Sequence, residues 1–290
     1  MDAQTSWRIR RYSGIDRMRF LLPVLGVLLA ASSGASSQTS QKTPPVHVLF
    51  LVGGIFHNYD TEPAATAENI RKKLQPEVAL DFVISKDLDL LRPEKIRGFG
   101  LVILNVCEQT ELSADQKQGL LAAVRNGLPV VALHCTFWSF ADWPEFRQLL
   151  GGYVLGHPKR GNICLQVTQP DQPITVGLPA RFELNDEPYL VDDRDPSMQT
   201  FVQTCKIYKA GQPITVLAPD GNHYKTLISG DTGQDRNGLE PEVWTKTFGK
   251  GRVFAMTFGH DLKTQEDPNY LQLLRNGILW DLGLSEEVKH

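Results

Sequence analysis

Four continuous apolar runs separated by helix-patterned segments constrain this chain more than any other feature. Val46 to Val52 stops at Gly53-Gly54, and Val78 to Ile84, Leu101 to Val106 and Pro129 to His134 repeat the pattern. Apolar runs of this length, bounded by turn residues, are buried parallel strands. Pro63 to Leu74 and Ser113 to Val124 have helical spacing, with Ser113 and Gln116 as a capping box and Gly127 as a stop. Strand-helix-strand alternation predicts an α/β fold: an open, mostly parallel sheet, doubly wound with helices on both faces. The second half adds strands at Asn162 to Val167, Arg181 to Leu190, Ile214 to Ala218, Glu242 to Phe248 and Arg252 to Phe258, then a helix from Pro268 to Leu282. Asp192 to Thr200 and Gly230 to Glu240 exceed ordinary connector lengths and are expected to be loops.

The amino-terminal 37 residues follow a different logic. Arg8, Arg10, Arg11, Arg17 and Arg19 precede the apolar stretch Phe20 to Ala31 and the small-residue run Ser32 to Ser37. That order is a secretory signal, and the stretch is too short to span a bilayer comfortably. Residues 1–37 are therefore expected to be a signal peptide of an exported, periplasmic or secreted protein, with no stable membrane span after processing. Residues 38–45 are a linker, 46–284 the folded domain and 285–290 a tail. Without the leader, 25 Lys and Arg face 31 Asp and Glu. An acidic body with no basic run argues against nucleic acid and leaves small molecules as partners.

Four histidines are candidates for the crevice where such a sheet collects ligands: His57, His134 and His260 at or just beyond strand ends, and His157 in a Gly/Pro-flanked loop. Asp186 and Glu187 interrupt a strand-like run and offer carboxylates for proton transfer or cation binding. Glu187, His57 and Asp186 are the candidate acid/base groups. His134, His157 and His260 are the candidate ligands of a divalent metal, zinc being the first choice. The site would equally fit metal-free acid/base chemistry. Trp138, Tyr189 and Trp244 are candidate sugar-stacking faces, in an aromatic set that also includes Phe56, Tyr59, Phe137, Phe140 and Trp143 and that could instead close the core.

Cys107, Cys135, Cys164 and Cys205 allow three pairings; buried free thiols are the leading reading, ahead of one disulfide or chemistry at Cys135. A nucleophile at a strand-to-helix elbow needs small residues two positions to either side. Around Cys135 these are the bulky Leu133 and Phe137; around His134 they are Ala132 and Thr136. A histidine thus occupies the elbow position.

Several motifs together resemble the trehalose-utilisation, or ThuA-like, family. They are Gly53-Gly54 with His57, Leu133-His134, Trp143-Pro144-Glu145-Phe146 running into Gly151-Gly152, His157-Pro158, Asp186-Glu187-Pro188-Tyr189, Trp244, Gly249-Lys250-Gly251-Arg252 and Gly259-His260-Asp261. The resemblance implies a flavodoxin-like, class I glutamine-amidotransferase-like topology and a role in sugar catabolism, with oxidised (3-keto) disaccharides as substrates of hydrolysis, elimination or isomerisation. Pro188 replaces the family's usual Leu. The amidotransferase triad is not supported, because Cys135 lacks an elbow frame. A non-catalytic periplasmic carbohydrate-binding protein is the alternative.

Overall fold

The structure, a computed structural model, describes residues 44–207, 213–217, 224–228 and 238–285. The expected signal peptide and most of the linker lie outside the described residues, as does most of the expected loop from Gly230 to Glu240. Along the chain, β1 (Val46–Gly54) leads to α1 (Glu62–Leu74), β2 (Leu80–Ser85), α2 (Pro93–Ile96), β3 (Leu101–Cys107), α3 (Ala114–Arg125) and β4 (Val130–Leu133). Next come α4 (Pro144–Leu150), β5 (Tyr153–His157), β6 (Gly161–Val167), β7 (Arg181–Asp186), β8 (Leu190–Asp192) and β9 (Gln199–Ile207). The remainder is β10 (Pro213–Leu217), β11 (Tyr224–Ile228), β12 (Leu239–Phe248), β13 (Gly251–Met256), α5 (Leu262–Gln265) and α6 (Pro268–Asp281).

Nine strands form one sheet in the order β2-β1-β3-β4-β13-β12-β9-β6-β7, and four form a smaller one in the order β11-β10-β5-β8. The pairings from β2 to β13 are parallel and those from β13 to β7 antiparallel. The parallel half is the doubly wound sheet that the apolar runs predict, and the extra strands of the second half extend it. Alternation along β1 shows the winding. Val48, Phe50 and Val52 pack with Ile70 and Leu74 of α1 and Leu274 of α6, whereas Leu49 and Leu51 pack on the opposite face with Leu120 and Val124 of α3. One strand therefore seals two cores, as period-two side-chain alternation requires. Local signals hold as well: Ser113 and Gln116 form the capping box of α3, and Gly127 takes a positive φ of 117° just beyond it. Among the described residues, no helix is long and apolar enough to cross a membrane.

Three expectations are corrected. The run Arg181 to Leu190 is not one strand: it breaks after Asp186, because Pro188 has no N–H for a ladder, and resumes as β8 in the other sheet. That crossover turns Glu187 and Tyr189 away from both ladders. Strands β5 and β9 form where glycines and polar residues conceal the pattern, so the expected loop Asp192 to Thr200 is cut short by β9. The cysteines are not free thiols. Cys107 pairs with Cys135 and Cys164 with Cys205, which also removes Cys135 as a nucleophile. The second disulfide lies one step beyond the Leu165–Thr204 pair of the β6–β9 ladder, a cross-strand position that brings Cα atoms to 5.3 Å.

Candidate functional site

β1, β4 and β13 run parallel in one sheet, so their carboxyl ends open on one edge. His57 follows β1, His134 follows β4 and His260 follows β13. The winding thus brings together three imidazoles separated by up to 203 residues: the His57 ring centroid is 4.9 Å from those of both His134 and His260. One ring nitrogen from each of the three lies within 4.8 Å of the others.

His134 occupies the elbow with φ at 46°, a left-handed conformation that non-glycine residues seldom adopt. The surroundings hold it there. Thr136 Oγ1 donates to the Leu104 carbonyl and accepts from the Val106 amide, while Ser139 Oγ donates to the Val106 carbonyl. His134 Nδ1 donates to the Thr257 carbonyl at 2.8 Å, which leaves Nε2 as an acceptor within reach of the Tyr189 hydroxyl. In the same way, His57 Nδ1 donates to the His260 carbonyl at 3.0 Å and His157 Nδ1 to the Pro158 carbonyl at 2.9 Å.

Glu187 is the centre of this arrangement. Its Oε2 lies 3.6 Å from His134 Nε2, 3.6 Å from His157 Nε2 and 3.2 Å from His260 Nδ1. His260 Nδ1, the nearest of the three, is within hydrogen-bond reach of that oxygen. Two imidazole lone pairs facing a carboxylate oxygen are acceptors facing an acceptor, an arrangement that a proton or a cation between them relieves. Burial would push the Glu187 carboxyl up, but His260, His134 and His157 outweigh it and hold it down to about 2. Burial, then the neighbouring His260, brings His57 down to about 4. Burial, aided by His57, holds His134 well below the usual imidazole range. Burial opposes protonation of His260 too, yet the Glu187 and Asp186 carboxylates prevail and raise it. Ionised Glu187 beside the neutral imidazoles of His57 and His134 is a donor set of the kind that a divalent cation takes.

The expected roles redistribute. His57, taken from the sequence as an acid/base group, stands in the cation-competent trio with His134 and His260. His157, taken as a ligand, is outside that trio and instead faces Glu187, because Tyr189 stands between it and His134. The Tyr189 ring stacks on His134 at 4.7 Å and on His157 at 5.5 Å, and its hydroxyl is 3.3 Å from His134 Nε2. Only 3% exposed, Tyr189 is a spacer between imidazoles and not an open sugar platform. Asp186, expected to work with protons, has its oxygens committed to the backbone: Oδ1 accepts from the Glu187 amide and Oδ2 from the Gly259 and His260 amides. It positions Glu187 and His260 together. Trp138 is buried, packed edge-on against Phe56 at 6.3 Å.

Trp244 is not at the site. It is fully buried in the opposite core, 4.9 Å from the Phe137 ring, with Nε1 donating to the Leu150 carbonyl at 2.9 Å. Its register in β12 turns it to the face away from the histidines. Trp244→Ala is therefore expected to cost about 3–5 kcal/mol of stability as a core truncation. Urea unfolding measures this, and a loss below about 1 kcal/mol would contradict the core assignment.

Sequence reasoning misses Thr257 and Thr136, which orient His134 through a carbonyl and a hydroxyl. A threonine in or beside a strand carries no signal of such a role. Gln265 is missed for the same reason; its Nε2 donates to the Gly259 carbonyl at 2.8 Å and steadies the turn that presents His260.

Fold and site define a class: flavodoxin-like α/β proteins whose strand-end crevice is lined by imidazoles around one carboxylate. The family described as ThuA, trehalose utilisation, matches residues 48–281, and the chain belongs to this family. Membership gives it a carbohydrate-related role. A ThuA-like protein from Bacteroides uniformis shares the fold at 18% identity and a TM-score of 0.61, covering 82% of this chain and 92% of its own. Another from Parabacteroides merdae does so at 19% identity and a TM-score of 0.59, covering 82% and 90%. No curated protein matches the sequence significantly.

Proposed function

We propose that this protein is an exported enzyme that processes oxidised, 3-keto glycosides by metal-assisted acid/base chemistry. The observation that carries the reading is the convergence of His134, His157 and His260 on one oxygen of Glu187. Its export is supported by the leader pattern and by two disulfides, which persist in oxidising compartments.

The chemistry follows from the substrate class. A carbonyl at C3 acidifies the neighbouring C2–H, and C1 beside it carries the glycosidic oxygen. Removing that proton and expelling the C1 substituent cleaves the glycoside by elimination; returning the proton elsewhere isomerises it. Glu187, ionised at any pH above its value of about 2, accepts the proton, and His157 beside it passes the proton on. His57, His134 and His260 would hold a divalent cation, which supplies Lewis-acid polarisation of the keto oxygen. Asp186 keeps Glu187 and His260 in mutual register through the three amides it accepts. Trp138 and Phe56 offer an apolar face for the sugar ring's C–H side.

The test is turnover of a 3-keto-disaccharide by the purified full chain, with the unmodified disaccharide as comparison and metal content measured in parallel. Turnover of the keto sugar alone, lost on chelation and restored by zinc, is the expected result. Tight binding of either sugar without turnover would overturn the reading in favour of a binding protein.

A further inference from the structure

The Cys107–Cys135 disulfide is not remote from the pocket. Cys135 directly follows His134 at the elbow, and Cys107 ends β3, paired with Gly54 of β1 three residues before His57. Both cysteines are buried, at 0% and 6% exposure. Their two sulfurs and a ring nitrogen of His57 lie within 4.8 Å of one another. His57 therefore belongs to two ligand sets at once, one of three imidazoles and one of two sulfurs and an imidazole.

In the oxidised protein only the first set can act, since a disulfide sulfur has no thiolate charge to offer. We propose that reduction of Cys107–Cys135 creates a soft-cation site from both sulfurs and His57, withdrawing His57 from the imidazole trio. The inference goes beyond the sugar reading and does not depend on which sugar the pocket takes.

The balance is simple. A dithiol reductant attacks one sulfur, leaves as its own cyclic disulfide, and delivers two electrons and two protons, giving two thiols. A divalent cation then displaces both thiol protons to solvent and binds two thiolates and the His57 lone pair. Tetrahedral zinc, with bonds of about 2.3 Å to sulfur and about 2.0–2.1 Å to nitrogen, places its donors about 3.5–3.8 Å apart. The His57 nitrogen already lies within 4.8 Å of both sulfurs, and the sulfurs must separate once their bond is broken. Thiolates select soft ions, so cadmium and zinc are preferred over magnesium or calcium. No new backbone position is required of His57, which stays anchored to the His260 carbonyl.

The test uses the full chain carrying Cys164→Ser and Cys205→Ser, so that one disulfide remains. The protein is reduced with a dithiol, freed of reductant without air and titrated with cadmium, reading the ultraviolet thiolate-to-cadmium charge-transfer band. The expected result is a band saturating at one ion per reduced chain, absent from the oxidised chain, with affinity at least about tenfold weaker in His57→Ala. A reduced chain that shows no band, or one whose affinity is unchanged by His57→Ala, would overturn the proposal. If the double serine chain does not fold, the same titration of the otherwise natural chain with and without Cys107→Ser decides. Loss of the tighter-binding band supports the site, and an unchanged titration rejects it. Neither outcome depends on sugar turnover, so failure here leaves the proposed reaction standing, and the reverse.

Discussion

Glu187→Gln is expected to lower turnover of a 3-keto-disaccharide by about 10²- to 10⁴-fold, the range typical of a positioned proton acceptor. The amide keeps the shape of the carboxylate and can still meet the imidazoles, so the fold should survive. What it loses is the negative charge that three imidazoles surround, and the ability to take up a proton. Circular dichroism before and after heating establishes that the variant is folded, and steady-state kinetics separate kcat from KM. A fall in kcat with little change in KM is the expected signature, because the acceptor acts mainly in the transition state. A change smaller than about tenfold would remove Glu187 from the chemistry. His134 or His260 would then have to act without it.

Gly54→Ala is expected to be the most disruptive small substitution near the site. Gly54 has φ of 114°, outside the ordinary range of L side chains, and an added Cβ would sit 1.9 Å from the Cys107 carbonyl oxygen. Backbone strain of about 1–3 kcal/mol and an overpacking cost of about 1–3 kcal/mol combine here. Their sum, roughly 2–6 kcal/mol, is a large part of the 5–15 kcal/mol that typically separates folded from unfolded states. Gly53 is the control. Its φ of 141° is also positive, but its Cβ would meet nothing nearer than the Lys86 side chain at 3.7 Å. Urea midpoints should fall much further for Gly54→Ala than for Gly53→Ala. Equal midpoints would show that the strand end can move aside, and that the close β1–β3 approach does not fix the turn that carries His57.

The parallel half of the fold was legible because β1, β3 and β4 are buried on both faces, which gives Leu49, Leu51, Val102 and Ile103 no polar alternation to hide behind. Its strand ends followed directly, and with them His57, His134 and His260. Strands β5 and β9 were hidden because they contain polar residues and, in β5, Gly156; their pairing is supplied by distant partners. Trp244 was misplaced for a related reason. An aromatic in a strand shows its spacing but not which face the strand turns to the crevice, and β12 gains its register from β13 and β9. The disulfides were illegible because their pairing depends on strand neighbours, here β3 with the elbow and β6 with β9, that sequence separations of 28 and 41 do not reveal. The exchange of roles between His57 and His157 turns on Tyr189, whose orientation is set by the break at Pro188.

That break has an evolutionary corollary. Asp186 and Leu190, on either side of Tyr189, belong to different sheets, so one wall of the crevice is hung from the small sheet and the other from the large. His157 ends β5 and moves with the small sheet; His134 is fixed by β4 in the large one. Substitutions far from the crevice that alter how β5 and β8 pair would therefore shift His157 relative to His134 and Glu187.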